Sequence, residues 1–227
     1  KIETSFVRSL QSELTDLYIV GVFFYMKLYT DGGSQGKMVV YPDGSQDYSG
    51  TLRFSRYVAD HFNLEDCNYC ENGGSNHRIA RNLLEDISGY DAFIIYMTKK
   101  MRTEYHDGKK WIGVRADTVK QELKEQWDRY YKEIYSEKGA LMEEKMQYNL
   151  IRLLLKETGK PYLIIDGTFC PLRINWKYMR QDKFFYKGHF TPLGHQVIAN
   201  DLIHRMSSST PSLARSEVMQ CNPPSQK

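Results

Sequence analysis

The sequence predicts an α/β fold, a three-layer α/β/α sandwich around a short, mostly parallel sheet. Two observations carry this. Short apolar runs at Leu17–Tyr25, Asp91–Met97 and Tyr162–Asp166 read as buried strands. Segments with apolar residues at helical spacing lie between and after them, so strands and helices alternate. A chain of 227 residues, 41% hydrophobic and 26% charged, is ordinary for a globular protein and suits one domain over residues 1–206.

Leu17–Tyr25 is β-branched and aromatic and reads as the first buried strand. Asp31–Gly50 is rich in Gly, Asp and Ser and reads as a long loop or a β-excursion, with Met38–Tyr41 as a short strand. Phe54, Val58 and Phe62 recur every four residues, so Thr51–Phe62 reads as a helix. Ile79, Leu83 and Ile87 do the same for Asn76–Ile87, with Ser75 or Asn76 as the cap. Asp91–Met97 is the second strand, and the basic loop Lys99–Arg115 follows it.

Thr118-x-x-Gln121 is a capping box opening a long helical segment, 117–158, that either flanks the sandwich or is an insertion for assembly. Its first apolar stripe is Val119, Leu123, Trp127, Tyr130 and Ile134. Gly139 interrupts it, and Met142, Met146, Leu150 and Leu154 continue a second helix. Gly159-Lys160-Pro161 stops that helix, and Tyr162–Asp166 is the third strand. Pro192–Met206 is the last helix. The Ser/Pro-rich tail 207–227 has too few large apolar groups to fold alone, so a partner or the domain must pack on it if it is ordered.

A net charge of +3 is too small to imply nucleic acid. No run reaches the roughly 18 apolar residues of a membrane span. Four cysteines in a chain of this length are not a disulfide framework, and the lone pair Cys67-x-x-Cys70 lacks a second pair of zinc ligands. The pattern calls for no metal and no cofactor. No signal peptide is visible, which points to an intracellular or virion setting. The chain begins at Lys1 rather than Met, which leaves room for an upstream piece.

Two motifs carry chemistry. Asn68-Tyr-Cys-Glu-Asn-Gly73-Gly74-Ser75-Asn76 runs two glycines into a helix N-terminus, where free N–H groups and the helix dipole favour an anion or oxyanion. A capped tight loop is the competing explanation. Gly188-His189-Phe-Thr-Pro-Leu-Gly194-His195 places two histidines where the last helix opens, and a His so placed can act as a general base.

Together these motifs resemble the SGNH/GDSL hydrolase superfamily, and most closely its branch common in phage genomes, over Tyr18 to about Met206. The resemblance implies a flavodoxin-like sandwich and ester hydrolysis. It makes Gly73 a donor to the oxyanion hole, with Gly74, Asn76 and Thr98 around it, and His189 the catalytic base. Asp91–Arg102 is similar to the same branch, which puts Arg102, His195 and Tyr186 beside the substrate. The family's serine follows the first strand in a Gly-x-Ser-like turn. In Gly21-Val22-Phe23-Phe24 that seat falls on Phe23, which would then only line the pocket. The family's Asn falls near Lys100, and its acid at Tyr186.

Three readings follow. The first is a hydrolase fold that has lost its chemistry and serves binding or assembly, with protein partners at the tail and the long helices, as in a phage or virus particle. The second is an active esterase or deacetylase on carbohydrate or lipid esters, with a displaced nucleophile. Ser75 is one candidate. Ser34 is the other, within Gly32-Gly33-Ser34-Gln35-Gly36, a Gly-x-Ser-x-Gly that needs a strand–turn–helix setting. The third is a polyanion or nucleic-acid binder through Arg173–Lys187, where five basic residues interleave with Trp, Tyr and Phe. Asp166 and Asp182 are candidates for the missing acid.

Overall fold

The computed structural model describes residues 26–98, 102–114, 124–165 and 181–208. The expected strand Leu17–Tyr25, the capping box at Thr118, Asp166, residues 173–180 and the tail from 209 lie outside these. In chain order the described elements begin with β1 (Lys27–Gly32), the one-turn helix α1 (Ser34–Lys37) and the hairpin β2 (Val39–Val40) and β3 (Gln46–Asp47). Then come α2 (Phe54–Phe62), β4 (Glu65–Asn68), α3 (Asn76–Glu85), β5 (Ala92–Tyr96) and the hairpin β6 (Thr103–His106) and β7 (Trp111–Val114). Helix α4 (Lys124–Arg129) runs into a π-helical turn, Tyr130–Ile134, before α5 (Glu137–Glu157) and β8 (Tyr162–Ile165). The hairpin β9 (Phe185–Tyr186) and β10 (His189–Phe190) leads into α6 (Pro192–Ser208).

The main sheet has the order β4-β1-β5-β8 and is parallel throughout. Alternation along each strand feeds two cores. Leu28 and Ile94 face α2 and α6, packing with Phe54, Val58, Ile198 and Leu202. Tyr29, Phe93 and Ile95 face α3 and α5, packing with Ile79, Leu83, Ile151 and Leu155. Helices on both faces make this the predicted three-layer sandwich. The chain leaves β1 toward β4 on one side and then crosses to β5 on the other. A crevice therefore opens where these connections diverge, at the carboxyl ends of β1 and β5.

Four expectations are corrected in whole or in part. Residues 31–50 do contain the short strand read at Met38–Tyr41, as β2 of the β2–β3 hairpin, but Asp31–Gly32 finish β1 and the turn α1 precedes the hairpin. The basic loop after β5 contains the β6–β7 hairpin. The stripe of α5 is also rotated from the predicted one. Its buried side is Ala140, Glu144, Ile151 and Leu155, while Met142, Met146 and Leu150 are exposed. This helix is apolar on two faces, so spacing alone does not select the inner one. The break before α5 falls at Tyr135–Ser136, where the Ser136 hydroxyl accepts from Gly139 N–H, rather than at Gly139 itself.

Candidate active site

Strand β1 ends in Thr30-Asp31-Gly32, and Gly33 is the extended residue that precedes α1. Ser34 is thus presented on a strand–turn–helix bend at the carboxyl end of the second strand in the sheet order. Asp31 is fully buried beneath the bend and ion-pairs with Arg78. It also accepts from Gly32 N–H at 2.7 Å, the Tyr29 hydroxyl at 3.0 Å and the Asn82 amide at 3.0 Å. Burial raises the Asp31 carboxyl above its ordinary value, and Arg78 is foremost among the groups opposing this. Arg78 donates further to the carbonyls of Gly32 at 3.0 Å and Tyr69 at 3.1 Å. One guanidinium therefore joins α3, the serine bend and the glycine loop. Gly74 permits this: a Cβ there would sit 3.0 Å from that guanidinium and 3.1 Å from the Gly32 carbonyl.

His189 arrives from the other side, on the β9–β10 hairpin. The two loop residues, Lys187 (φ 46°) and Gly188 (φ 86°), are both left-handed, as a tight two-residue hairpin requires. The Lys187 carbonyl lies 3.1 Å from His189 Nδ1, and Nε2 lies 3.0 Å from Ser34 Oγ. With Nδ1–H donating to that carbonyl, Nε2 carries the lone pair and accepts the serine proton. Gln35 Nε2 donates to the Gly188 carbonyl at 3.3 Å, tying the hairpin to α1. Burial lowers the His189 pKa below 6.5, the Lys187 hydrogen bond opposes this, and the nearby Arg102 charge lowers it further. The imidazole is therefore neutral at pH 7. Arg102 belongs to the same cleft: a Cβ on Gly33 would lie 3.2 Å from its guanidinium and 3.3 Å from the Thr98 methyl.

Several predicted site residues have other roles. Ser75 Oγ is buried and accepts from Arg78 N–H, so it caps α3. Asn76 and Thr98 are buried and engage each other. Thr98 N–H and Oγ1–H donate to Asn76 Oδ1 at 2.7 and 3.1 Å, and the Asn76 amide returns to the Thr98 carbonyl at 3.2 Å. These side chains clamp the end of β5 to α3 instead of facing an anion. Gly73 is left-handed (φ 76°) at the tip of the loop between β4 and α3. Tyr186 is half-buried and pairs across the hairpin with His189. Asp182 is exposed, and the carbonyl of Lys187 occupies the Nδ1 side of His189 where an acid was sought. Phe23 lies outside the described residues.

His195 is also reassigned. It is fully buried, its Nδ1 accepts from Phe54 N–H at 3.1 Å, and its Nε2–H donates to the Met38 carbonyl at 3.1 Å. It positions α6 against α2 and the segment after α1. Burial pushes its pKa down to about 4 from 6.5. A lowered base binds fewer protons folded than unfolded. Its contribution is therefore present above pH 6.5 and is lost as pH falls toward 4, about 3 kcal/mol in all. An NMR titration of the His195 ring is expected to find a midpoint near 4. A midpoint at or above 6.5 would contradict the buried, doubly bonded imidazole.

Ser34 is the residue that the sequence placed second. The reading in which His189 has no hydroxyl to activate is corrected by its 3.0 Å contact. Cys70 is buried beside Gly36, and burial raises its thiol pKa. Among the described residues no cluster of three or more His, Cys, Asp or Glu could hold a metal ion, and no helix is long and apolar enough to cross a membrane.

No protein-family model matches the sequence, and no curated protein matches it. Among solved structures the chain is similar to the lipase/acylhydrolase from Enterococcus faecalis, at 12% identity over 81% of this chain and 96% of that one, with a TM-score of 0.39. It is similar to an α/β-hydrolase enzyme from the metagenome of Lake Arreo, Spain, at 15% identity over 82% and 98%, with a TM-score of 0.41. A carbohydrate acetylesterase family member from Sinorhizobium meliloti follows at 11% identity over 81% and 100%, with a TM-score of 0.38. Likenesses this distant bear on neither substrate nor the roles of individual residues.

Proposed function

We propose that this protein is a serine hydrolase of esters, of the SGNH/GDSL kind, with Ser34 as nucleophile and His189 as general base. The observation that carries the reading is the 3.0 Å approach of Ser34 Oγ to a neutral, oriented His189 Nε2. Nucleophile, base and orienting group form one hydrogen-bonded chain, with the Lys187 carbonyl bonded to the Nδ1 side that an acid takes in a full triad. Ser34 attacks the ester carbonyl while Nε2 takes its proton. The imidazolium then protonates the departing alcohol, and a water deprotonated by Nε2 releases the acid from Ser34. The developing oxyanion is assigned to backbone N–H groups of Ser34 and Gly73, with the Arg102 charge nearby.

A carbonyl acceptor fixes the tautomer but carries no full charge to stabilise imidazolium, so turnover is expected to be slower than with a carboxylate partner. The substrate class is a carbohydrate or other acyl ester. A binding role in a phage or virus particle rests on the family residues missing from their expected seats and on the polar tail, and the approach of Ser34 to His189 speaks against the first of these grounds. The test is hydrolysis of a short-chain nitrophenyl ester by wild type and His189→Ala. Wild-type turnover that His189→Ala abolishes is expected. Equal rates from both, or none from either, would overturn the reading. The acid limb of kcat/KM is expected to have its midpoint below pH 6.5, because neutral imidazole is the active form and burial favours it. A midpoint above 6.5 would contradict the assigned base.

A further inference from the structure

Helix α5 is the longest described helix, and it buries only one side. On the other, Met142, Met146, Leu150 and Leu153 are 56%, 61%, 39% and 51% exposed. At 100° per residue these four fall in one stripe, with Asn149 in the same stripe. Charge is sorted about it. Lys138, Lys145 and Arg152 run along one edge, Glu143 and Glu157 along the other, and Lys156 closes the stripe in the last turn. Among the described residues no ion pair engages any of these six.

We propose that this stripe is a self-association surface, on which a second copy of the chain packs its own α5 in parallel about a two-fold axis. Charge sorting selects both occupant and direction. Two such helices side by side in parallel set each basic edge against the partner's acidic edge, whereas antiparallel pairing sets like against like. The spacing agrees. Lys138 to Glu143 and Arg152 to Glu157 are each five residues apart, the offset at which edge charges meet across a parallel pair. Gly139, Met142, Met146, Asn149 and Leu153 then form the seam, and a polar residue such as Asn149 favours one register. The repeat is too short to hold two free helices together. Here each helix is already ordered on its own sheet, so pairing costs little conformational entropy.

The surface is independent of the cleft chemistry and is tested by sedimentation velocity over a concentration series. Wild type is expected to show a reversible dimer. Met146→Glu and Leu153→Glu each place a charge in the seam and are expected to weaken the dimer on the order of tenfold or more. Both positions face solvent in the single chain, so an unchanged melting temperature verifies folding. Charge reversal adds a second arm. Glu143→Lys with Glu157→Lys, and separately Lys138→Glu with Arg152→Glu, are each expected to lose the dimer. An equimolar mixture of the two doubly substituted proteins is expected to regain it. A wild-type protein monomeric throughout, a dimer indifferent to Met146→Glu and Leu153→Glu, or a mixture that stays monomeric would each overturn the proposal.

Discussion

Replacing Ser34 by alanine is expected to reduce ester turnover about 10⁴-fold or more, to the level of His189→Ala, while leaving the fold intact. The size follows from roles that act as a unit. A nucleophile without its base, or a base without its nucleophile, cannot form the acyl-enzyme, so either loss removes nearly the whole covalent route. Combining the two substitutions is therefore expected to cost little beyond either alone. The fold should persist because Ser34 Oγ contacts His189 at the cleft rather than filling a core. Replacement of Ser75 gives the contrasting result. Losing that cap costs about 1 kcal/mol of stability without ending the chemistry. Residual turnover in Ser34→Ala close to wild type would show that another group attacks.

The second large effect lies beneath the site. Arg78→Met leaves Asp31 fully buried without its ion-pair partner, and breaking such a pair by removing one member costs about 3–5 kcal/mol. That is a large share of the stability of an ordinary domain. Activity falls with it, since the Gly32 and Tyr69 carbonyls lose the donor that binds the serine bend to the glycine loop. The pH dependence has a definite sign. Burial already raises the Asp31 carboxyl, and loss of Arg78 removes its strongest opposing influence. A folded carboxyl with a raised pKa takes up a proton more readily than the unfolded one. The deficit of the variant is therefore greatest at neutral pH and shrinks as pH falls through the raised value. Urea unfolding across pH measures this directly. Adding Asp31→Asn to Arg78→Met is expected to recover part of the loss, which a double-mutant cycle would quantify. A deficit under 1 kcal/mol at neutral pH, or one that grows on acidification, would contradict the buried-pair description.

The fold was legible where strands are apolar. Ala92–Tyr96 is almost wholly buried and Tyr162–Ile165 partly so, and both read as strands. The first strand of the described sheet was hidden by its composition. Lys27–Gly32 carries Lys, Thr and Asp, and Asp31 is tolerated in the core only because Arg78, forty-seven positions away, compensates it. Glu65–Asn68 is polar and only partly buried at one edge of the sheet, so no apolar run marks it. The apolar run Leu17–Tyr25, which lies outside the described residues, reads as a strand by composition, and that reading puts the serine seat at Phe23. Gly-x-Ser-x-Gly is visible in the sequence, but its strand–turn–helix setting is not, because the residues after Lys37 look extended. They are extended, as Val39–Val40, but the single turn Ser34–Lys37 comes first and is too short to show periodicity. His189 and the glycine loop were legible because loops that open helices concentrate Gly, Asn and His. That Asn76 and His195 are spent on backbone groups depends on contacts 22 and 141 positions apart, which local sequence does not carry.

The pairing of Ser34 with His189 is tested most directly by covalent capture. A fluorophosphonate reacts with an activated serine, and peptide mass spectrometry reports which residue carries the phosphonate. A single adduct on Ser34 that disappears in His189→Ala is the predicted result. An unmodified Ser34 in wild type, an adduct on another hydroxyl, or labelling of Ser34 that persists without His189 would contradict it.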